Sequence, residues 1–459
     1  MKKLRKIIVL ALVIVMVASL IYGCAPKTVE ASPSVAPSPA APATSEAPAA
    51  PEAPAAPEAP AAPEARSEPP SDPNHAVYAL MAENMVPWQG VATVETTSRA
   101  AIDKAIKPDN RKDGITVGYI TWNNSTPFFA ASEQFLKEQC ESWGYKFMSI
   151  SSNGDINAQV AGIESLVTAG VDIIVDCDYV VESELAAVEA AVAAGVPVIG
   201  YGLVFPPTSP VVTTSACPYY EQAWVCGRYV ADYYKDNKNL IAATIPGMMG
   251  HPIGESALNG FLGGFVYERA LQGLGEAFAT KEDAMVHGHN LLKEIAANAS
   301  FNDSAYGWKV VQSIDGFWSE DGGLTAMEDI LTSHPDLQFV WTANDSQGFG
   351  AIKAMENAGY EVGKDIQIAS IGDGLEDALK LIKEGKYLCI NLCSPYTYVG
   401  TCANLIYKIF TEGFDATNLP HASYFPNVLV TKDNADEWLG KVKGEFTVLE
   451  DIEIVPIGG

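Results

Sequence analysis

From Ile115 onward the chain alternates short apolar runs with longer stretches in which apolar residues recur at three- and four-residue spacing. Continuous apolar runs suit strands buried on both faces, and the longer stretches suit helices packed over them. The order therefore predicts strand, helix, strand, helix around a parallel sheet. Predicted strands fall at 115–121 (ITVGYIT), 145–151 (YKFMSIS), 172–177 (DIIVDC) and 196–202 (VPVIGYG). Helices over 128–143, 156–169 and 183–194 lie between them, with Gly144, Gly170 and Gly195 where C-terminal caps belong.

A second series repeats the plan. A helix over 219–234 leads to strands at 240–247, 309–316, 338–344, 366–373 and 387–394, with helices at 254–274, 322–333, 348–358, 375–384 and 397–413. Residues 424–434 close the chain's pattern. The fold class is α/β, two doubly wound parallel-sheet lobes in tandem, and such folds take ligands at the carboxyl edges of their strands. Two pieces fall outside this plan, residues 76–112 and the connection from about 272 to 308. The second carries HGHN, where His287 and His289 offer two metal ligands without a third, so it reads as a solvated insertion and no metal is expected.

The amino end has another character. Lys2, Lys3, Arg5 and Lys6 precede an apolar run from Ile7 to Tyr22 that ends at Gly23-Cys24. That length suits a signal peptide over residues 1–23 and is short for a membrane span. Cysteine after a small residue resembles a bacterial lipobox, with Cys24 the lipidated first residue; Ile21 and Tyr22 match it poorly, and ordinary cleavage or an uncleaved anchor are the alternatives. Residues 24–75 are nearly all Ala, Pro, Ser and Glu, with no apolar surface to bury, and read as a disordered, semi-rigid tether.

Net charge is −27, and beyond residue 75 there are 23 basic against 49 acidic residues, so the acidity belongs to the folded part. Binding to a phosphate backbone needs the opposite sign, which excludes nucleic acid as a partner. Seven cysteines follow Cys24, mostly inside apolar runs and without metal spacing, and read as buried thiols with Cys217 and Cys226 the candidate pair.

The residues at the predicted carboxyl tips are Trp122, Asn123, Asn124, Phe128, Phe129, Asp176, Asp178, Tyr201, Trp318, Asn344, Asp345 and Asp373. Flat rings sandwich the apolar faces of a small solute while amides and carboxylates read its polar edge. Six of them have a competing structural role: Phe128 or Phe129 as a core knob, Trp318 as cover for a core edge, and Asn344, Asp345 or Asp373 as helix caps.

At this point the chain resembles the periplasmic sugar-binding proteins of the ribose- and galactose-binding type, the solute receptors of ABC importers. The resemblance runs from about Ile115 to Val430 and is carried by NNSTPFF, by SHPDLQFVWTANDSQGFGAIKAMENAG (333–359), by IGDGLEDALKLIKEG (372–385) and by SPYTYVG (394–400). It implies two lobes joined by a three-stranded hinge, the periplasmic binding protein type 1 fold, with crossings near Tyr201–Phe205, Asn391–Pro395 and 420–430. The implied N-terminal lobe is 113–203 with 394–420, and the C-terminal lobe 204–393 with 421–459, behind an extension at 76–112. The resemblance assigns Asn344, Asp345 and Asp373 to sugar hydroxyls and Phe128 and Phe129 to the sugar faces, with Trp122, Asn124, Tyr201, Glu255 and Trp318 completing the expected ligand-binding set.

The chain also departs from the pattern. Where an Asp-Arg pair usually follows the fourth strand it reads IGYGLVF, an arginine early in the second lobe gives way to Glu255 and Ser256, and NLCSP stands where a glutamine is usual at the second crossing. The implied site is more acidic and more hydrophobic than a ribose site, so a cationic or less hydroxylated solute becomes plausible. The expected function is capture of a small solute, sugar or sugar-like, by clamshell closure, without cofactor or covalent chemistry. The expected partners are a membrane ABC permease and the membrane itself through the lipid anchor, for a monomer outside the cytoplasm. A signal-sensing subunit with an autoinducer-like ligand, or a receptor for an amine or nucleoside, uses the same clamp and is the alternative. Phosphate loops, Gly-x-Ser-x-Gly elbows and HExxH motifs, which would point to an enzyme, do not occur.

Overall fold

The computed structural model describes residues 72, 74–91, 114–178, 180–416 and 419–448. The expected signal peptide, Cys24 and nearly all of the tether lie outside the described residues. Among the described residues no helix is long and apolar enough to cross a membrane.

The chain begins with α1 (Ala76–Glu83) and a short turn at Val86–Trp88. It then builds β1 (Thr116–Thr121), α2 (Pro127–Ser142), β2 (Lys146–Ser151), α3 (Ile156–Ala169), β3 (Ile173–Cys177), α4 (Val181–Ala193), β4 (Val198–Tyr201) and β5 (Thr214–Ala216). The second series is α5 (Tyr219–Tyr233), β6 (Leu240–Ile245), α6 (Pro252–Leu271), α7 (Lys281–Asn298), β7 (Phe301–Asp303), β8 (Trp308–Ser313), α8 (Glu320–Ser333), β9 (Phe339–Thr342), α9 (Asp345–Asn357), β10 (Gln367–Gly372), α10 (Glu376–Glu384) and β11 (Cys389–Leu392). The chain continues with α11 (Pro395–Tyr407), β12 (Ala422–Tyr424), β13 (Leu429–Thr431), α12 (Ala435–Leu439), β14 (Val442–Lys443) and β15 (Phe446–Thr447).

These strands form two large sheets, β12-β5-β4-β3-β1-β2 in the N-terminal lobe and β13-β11-β10-β9-β6-β8-β7 in the C-terminal lobe. The first is parallel throughout, and the second is parallel except at its two edges, β13 against β11 and β7 against β8. Three crossings join them: Cys217–Pro218 after β5, Cys393–Ser394 after β11, and residues 425–428 between β12 and β13.

The second crossing lies at Cys393–Ser394, and the first comes later in the chain than the resemblance implies. The expected change of lobe near Tyr201–Phe205 is deferred because the buried run Thr214–Ala216 adds another strand to the N-terminal sheet, and the chain leaves that lobe only after it. Residues 422–424 likewise pair with β5 rather than with the C-terminal lobe.

Helices α5 and α6 lie backbone to backbone and set where the amino end of α6 meets the cleft. A Cβ at Gly260 would fall 2.1 Å from the Tyr220 carbonyl oxygen, and one at Gly264 would fall 2.1 Å from that of Trp224, so only glycine permits this approach.

Residues 76–91 and 281–298, the described core of the two off-plan pieces, pack on each other. Residues 281–298 are not a solvated insertion but a helix opened by a Thr280–Asp283 capping box, with Ala284, Met285, Gly288, His289, Leu291, Leu292 and Ile295 buried. Trp88 is fully buried between Tyr220 and the His289 ring, 5.6 and 4.9 Å between centroids. Pro87 accepts from the Asn259 carboxamide at 2.7 Å and Gln89 from the Tyr220 N–H at 3.1 Å, while His75 meets Asp283 at 3.0 Å. His287 faces Asp303 at 2.9 Å, so the two histidines serve separate contacts. All seven described cysteines are buried and free; Cys226 has its sulfur 3.8 Å from Cys389, not paired with Cys217 as the sequence suggests.

Because Trp88 fills a closed aromatic pocket, Trp88→Ala should cost roughly 3–5 kcal/mol of stability in urea unfolding. Solute affinity should be unchanged, since the Trp88 ring packs on Tyr220 and His289, neither of them a candidate ligand residue.

Candidate ligand-binding cleft

In the N-terminal lobe the loop after β1 is held from below. The Trp122 carbonyl accepts from the Gly154 N–H and the Ser152 hydroxyl, both at 2.9 Å, and leaves a half-buried indole at the tip. Asn123 turns the chain by accepting from the Ser125 N–H at 2.9 Å. Asn124 donates to the Glu133 carboxylate, which also takes the Ser149 hydroxyl at 2.6 Å, so its amide is committed within the lobe while its Oδ1 is buried without a protein partner.

The paired phenylalanines divide. Phe128 makes edge contacts with Phe129, Tyr398 and Phe446, centroids 5.5, 6.1 and 6.2 Å apart, and acts as a knob in an aromatic cluster; Phe129 is half-buried beside it. Tyr201 is only 2% exposed, stacked on Tyr398 at 4.9 Å with its hydroxyl 2.6 Å from that of Ser132. Its recognition groups are spent inside the lobe, so it does not replace the missing charged pair.

The residues directly after β4 are Gly202 and Leu203, and the nearest charged group is Asp178 at the tip of β3. A Cβ on Gly202, whose φ is +123°, would lie 3.6 Å from Asp178 Oδ1, and that oxygen accepts from the Leu203 N–H at 2.9 Å. Asp178 is 6% exposed and its second oxygen has no hydrogen-bond partner among the described residues. Burial, then the nearby Glu184 and Asp176 carboxylates, hold its acid well above the ordinary range.

The C-terminal lobe presents a connected set. Asn344 caps α9 by accepting from the Gln347 N–H at 3.0 Å, and its amide nitrogen donates to the Trp318 carbonyl at 3.3 Å and to Asp373 Oδ2 at 3.0 Å. Capping and site duties, competing readings in sequence, are thus carried by one side chain. Asp345 is fully buried and turned inward, accepting from the N–H groups of Gly374 and Leu375 at 3.0 and 3.1 Å. It holds the loop that carries Asp373 rather than facing a ligand. Burial pushes Asp345 up to about 7, and burial with the adjacent Asp345 raises half-buried Asp373.

Trp318 and Phe317 both have positive φ, 51° and 52°, a costly conformation for aromatic residues. Their neighbours enforce it: Gly316 and Phe317 donate to the carbonyls of Pro246 and Gly247 at 2.9 and 2.8 Å, and Asn344 holds the Trp318 carbonyl. The indole covers Gly247, where a Cβ would fall 2.0 Å from the ring, and meets the His251 ring edge-on at 5.0 Å.

His251 and Asp315 escaped the sequence reading. The first caps α6 by accepting from the Ile253 N–H at 3.3 Å, and burial lowers it to about 4, so it is neutral at neutral pH. The second accepts from the Met249 N–H at 3.2 Å. A histidine before proline at a helix start was the available signal for His251; nothing in IDGF marked Asp315. Glu255 accepts from the Gly250 N–H at 2.8 Å, and burial raises it. Ile253 packs against the N-terminal-lobe cluster that contains Leu203 and Phe205, so the amino end of α6 bridges the lobes.

Comparison with known proteins bears on the fold. Residues 117–413 match the sequence model of the periplasmic binding protein domain. The ribose import binding protein of Bacillus subtilis (strain 168) is 28% identical over 311 residues, 67% of this chain and 84% of that protein. The xylitol-binding protein of Mycolicibacterium smegmatis (strain ATCC 700084 / mc(2)155) is 22% identical over 76% of this chain and 84% of its own length. Among solved structures, a galactofuranose binding protein superposes with a TM-score of 0.57 at 20% identity, covering 71% of this chain and 98% of that one.

Asp345 keeps its proton in the fold to about pH 7, while the unfolded chain releases it near 4. The folded state binds the extra proton between these values, so stability falls as pH rises through that window. Urea unfolding from pH 4 to 8 should show this decline, and Asp345→Asn should flatten it.

Proposed function

Because this chain belongs to the periplasmic binding protein family, we propose that it is an extracytoplasmic receptor that closes two lobes over a small polar solute and delivers it to an ABC-type permease. The observation that carries this reading is the Trp318–Asn344–Asp373 network. It offers one aromatic face and one carboxylate at fixed spacing on the carboxyl edge of the C-terminal sheet, and the Trp122 and Phe129 rings stand at the corresponding edge of the other lobe. The relatives named above are solute-binding proteins rather than enzymes, and sugars and polyols are the solutes in their names. A sugar or sugar-like ligand, attachment through Cys24 and action as a monomer complete the proposal.

Closure follows from differential contact. A solute touching both lobes stabilises the closed arrangement by the contacts that the open one lacks, and the three crossings absorb the rotation. Saturation at about a hundred times Kd adds roughly 2.7 kcal/mol to stability.

Titration calorimetry of the protein with pentoses, hexoses, polyols and amino sugars tests the reading. Trp318→Ala and Asp373→Ala should each weaken the bound solute at least tenfold with no large loss of stability. Unchanged affinity in both variants would remove the cleft from the function.

A further inference from the structure

Among the described residues, the loops that leave the carboxyl ends of the parallel strands contain no lysine or arginine. This holds for residues 122–126, 152–155, 178–180, 202–213, 217–218, 246–251, 314–319, 343–344, 373–375 and 393–394. The two described arginines are committed elsewhere. Arg228 of α5 donates to Glu268 of α6 at 3.0 Å, and Arg269 donates to the Tyr306 and Tyr234 carbonyls at 3.1 and 2.8 Å. The same edges hold Asp178, Asp315 and Asp373, and Glu255 stands one turn into α6.

Resting on the receptor reading above, we infer that the solute bound in this cleft is an organic cation, a small amine-bearing and hydroxylated molecule such as an amino sugar. A neutral polyol can donate hydroxyls to these carboxylates but brings no countercharge to any of them. Carboxylates sequestered from water without a cation are costly, and burial is the first cause holding Asp178, Glu255, Asp315 and Asp373 above the ordinary acid range. A ligand ammonium relieves that cost where the protein supplies one backbone or carboxamide N–H to each acid and no cation.

Asp178 gives the independent sign. It is 6% exposed, one oxygen has no hydrogen-bond partner among the described residues, and it lies beside the backbone of Gly202. The rings at the two edges, Trp122 and Trp318, add faces that attract positive charge.

The test is calorimetry on the full chain with matched probes, D-galactosamine against D-galactose and D-glucosamine against D-glucose, at low and high sodium chloride. Expected is at least tenfold tighter binding of an amine than of its neutral parent, with the advantage shrinking as salt rises. Asp178→Asn, and separately Glu255→Gln so that a folding defect in one variant does not decide the matter, should each reduce that advantage at least threefold. Equal or tighter binding of the neutral parents overturns the cation inference and leaves the receptor reading standing. Silence toward every probe, charged and neutral, overturns both.

Discussion

One carboxamide organises the C-terminal half of the cleft. Asn344 ends β9's loop by capping α9, and the same group ties the Trp318 carbonyl to the Asp373 carboxylate, so three loops from three strands share one set of hydrogen bonds. A side chain with one acceptor and two donors can close such a junction; an aspartate there would offer no donor to either partner. Behind it, Asp345 pins the Gly374–Leu375 backbone, and Gly372 is required because a Cβ there would stand 2.4 Å from Asp345 Oδ1. The site's front and its support come from adjacent residues of one sequence motif, pointing opposite ways.

That division explains what could be read in advance. Strands β1, β3 and β4 are continuous apolar runs because both faces are covered, and their positions follow from the sequence to within a residue or two. β5 is the short run Thr-Ser-Ala, with no apolar signature, although all of it is buried; the first crossing was misplaced for that reason. α7 was obscured by histidines and a glycine on its buried face, where His289 packs on an indole and Gly288 meets α6 closely. Which member of the Asn344–Asp345 pair faces inward is decided by loops distant in sequence: Asn344 meets Asp373 while Asp345 turns into the fold. Tyr201 was an aromatic at a strand tip like Trp318, but only the latter has glycines beneath it to leave room for a ring in the cleft.

The aromatic content of the hinge region has a related logic. Tyr201, Tyr219 and Tyr398 meet where the first two crossings pass, with Tyr201 stacked on Tyr398 and the Tyr219 and Tyr398 hydroxyls bonded to each other. Rigid rings there fix the path of each crossing without filling the cleft, and the buried thiols of Cys217 and Cys393 take up the small remaining volumes. The carboxyl-terminal hairpin adds a side wall: Thr447 donates to the Gly374 carbonyl at 2.9 Å in one lobe while Lys443 reaches Glu138 of the other at 3.1 Å.

The docked extension changes the mechanical frame in which the molecule moves. Residues 75–89 grip the C-terminal lobe through His75, Pro87, Trp88 and Gln89, although the next described segment, from Gly114, opens the N-terminal lobe. Under the receptor reading proposed above, a pull on the chain ahead of His75 would be borne by the C-terminal lobe, and closure would move the N-terminal lobe against it. Seen from a fixed surface, the receptor would behave as a jaw with its lower half clamped down, and every hinge rotation would be delivered as displacement of the other half.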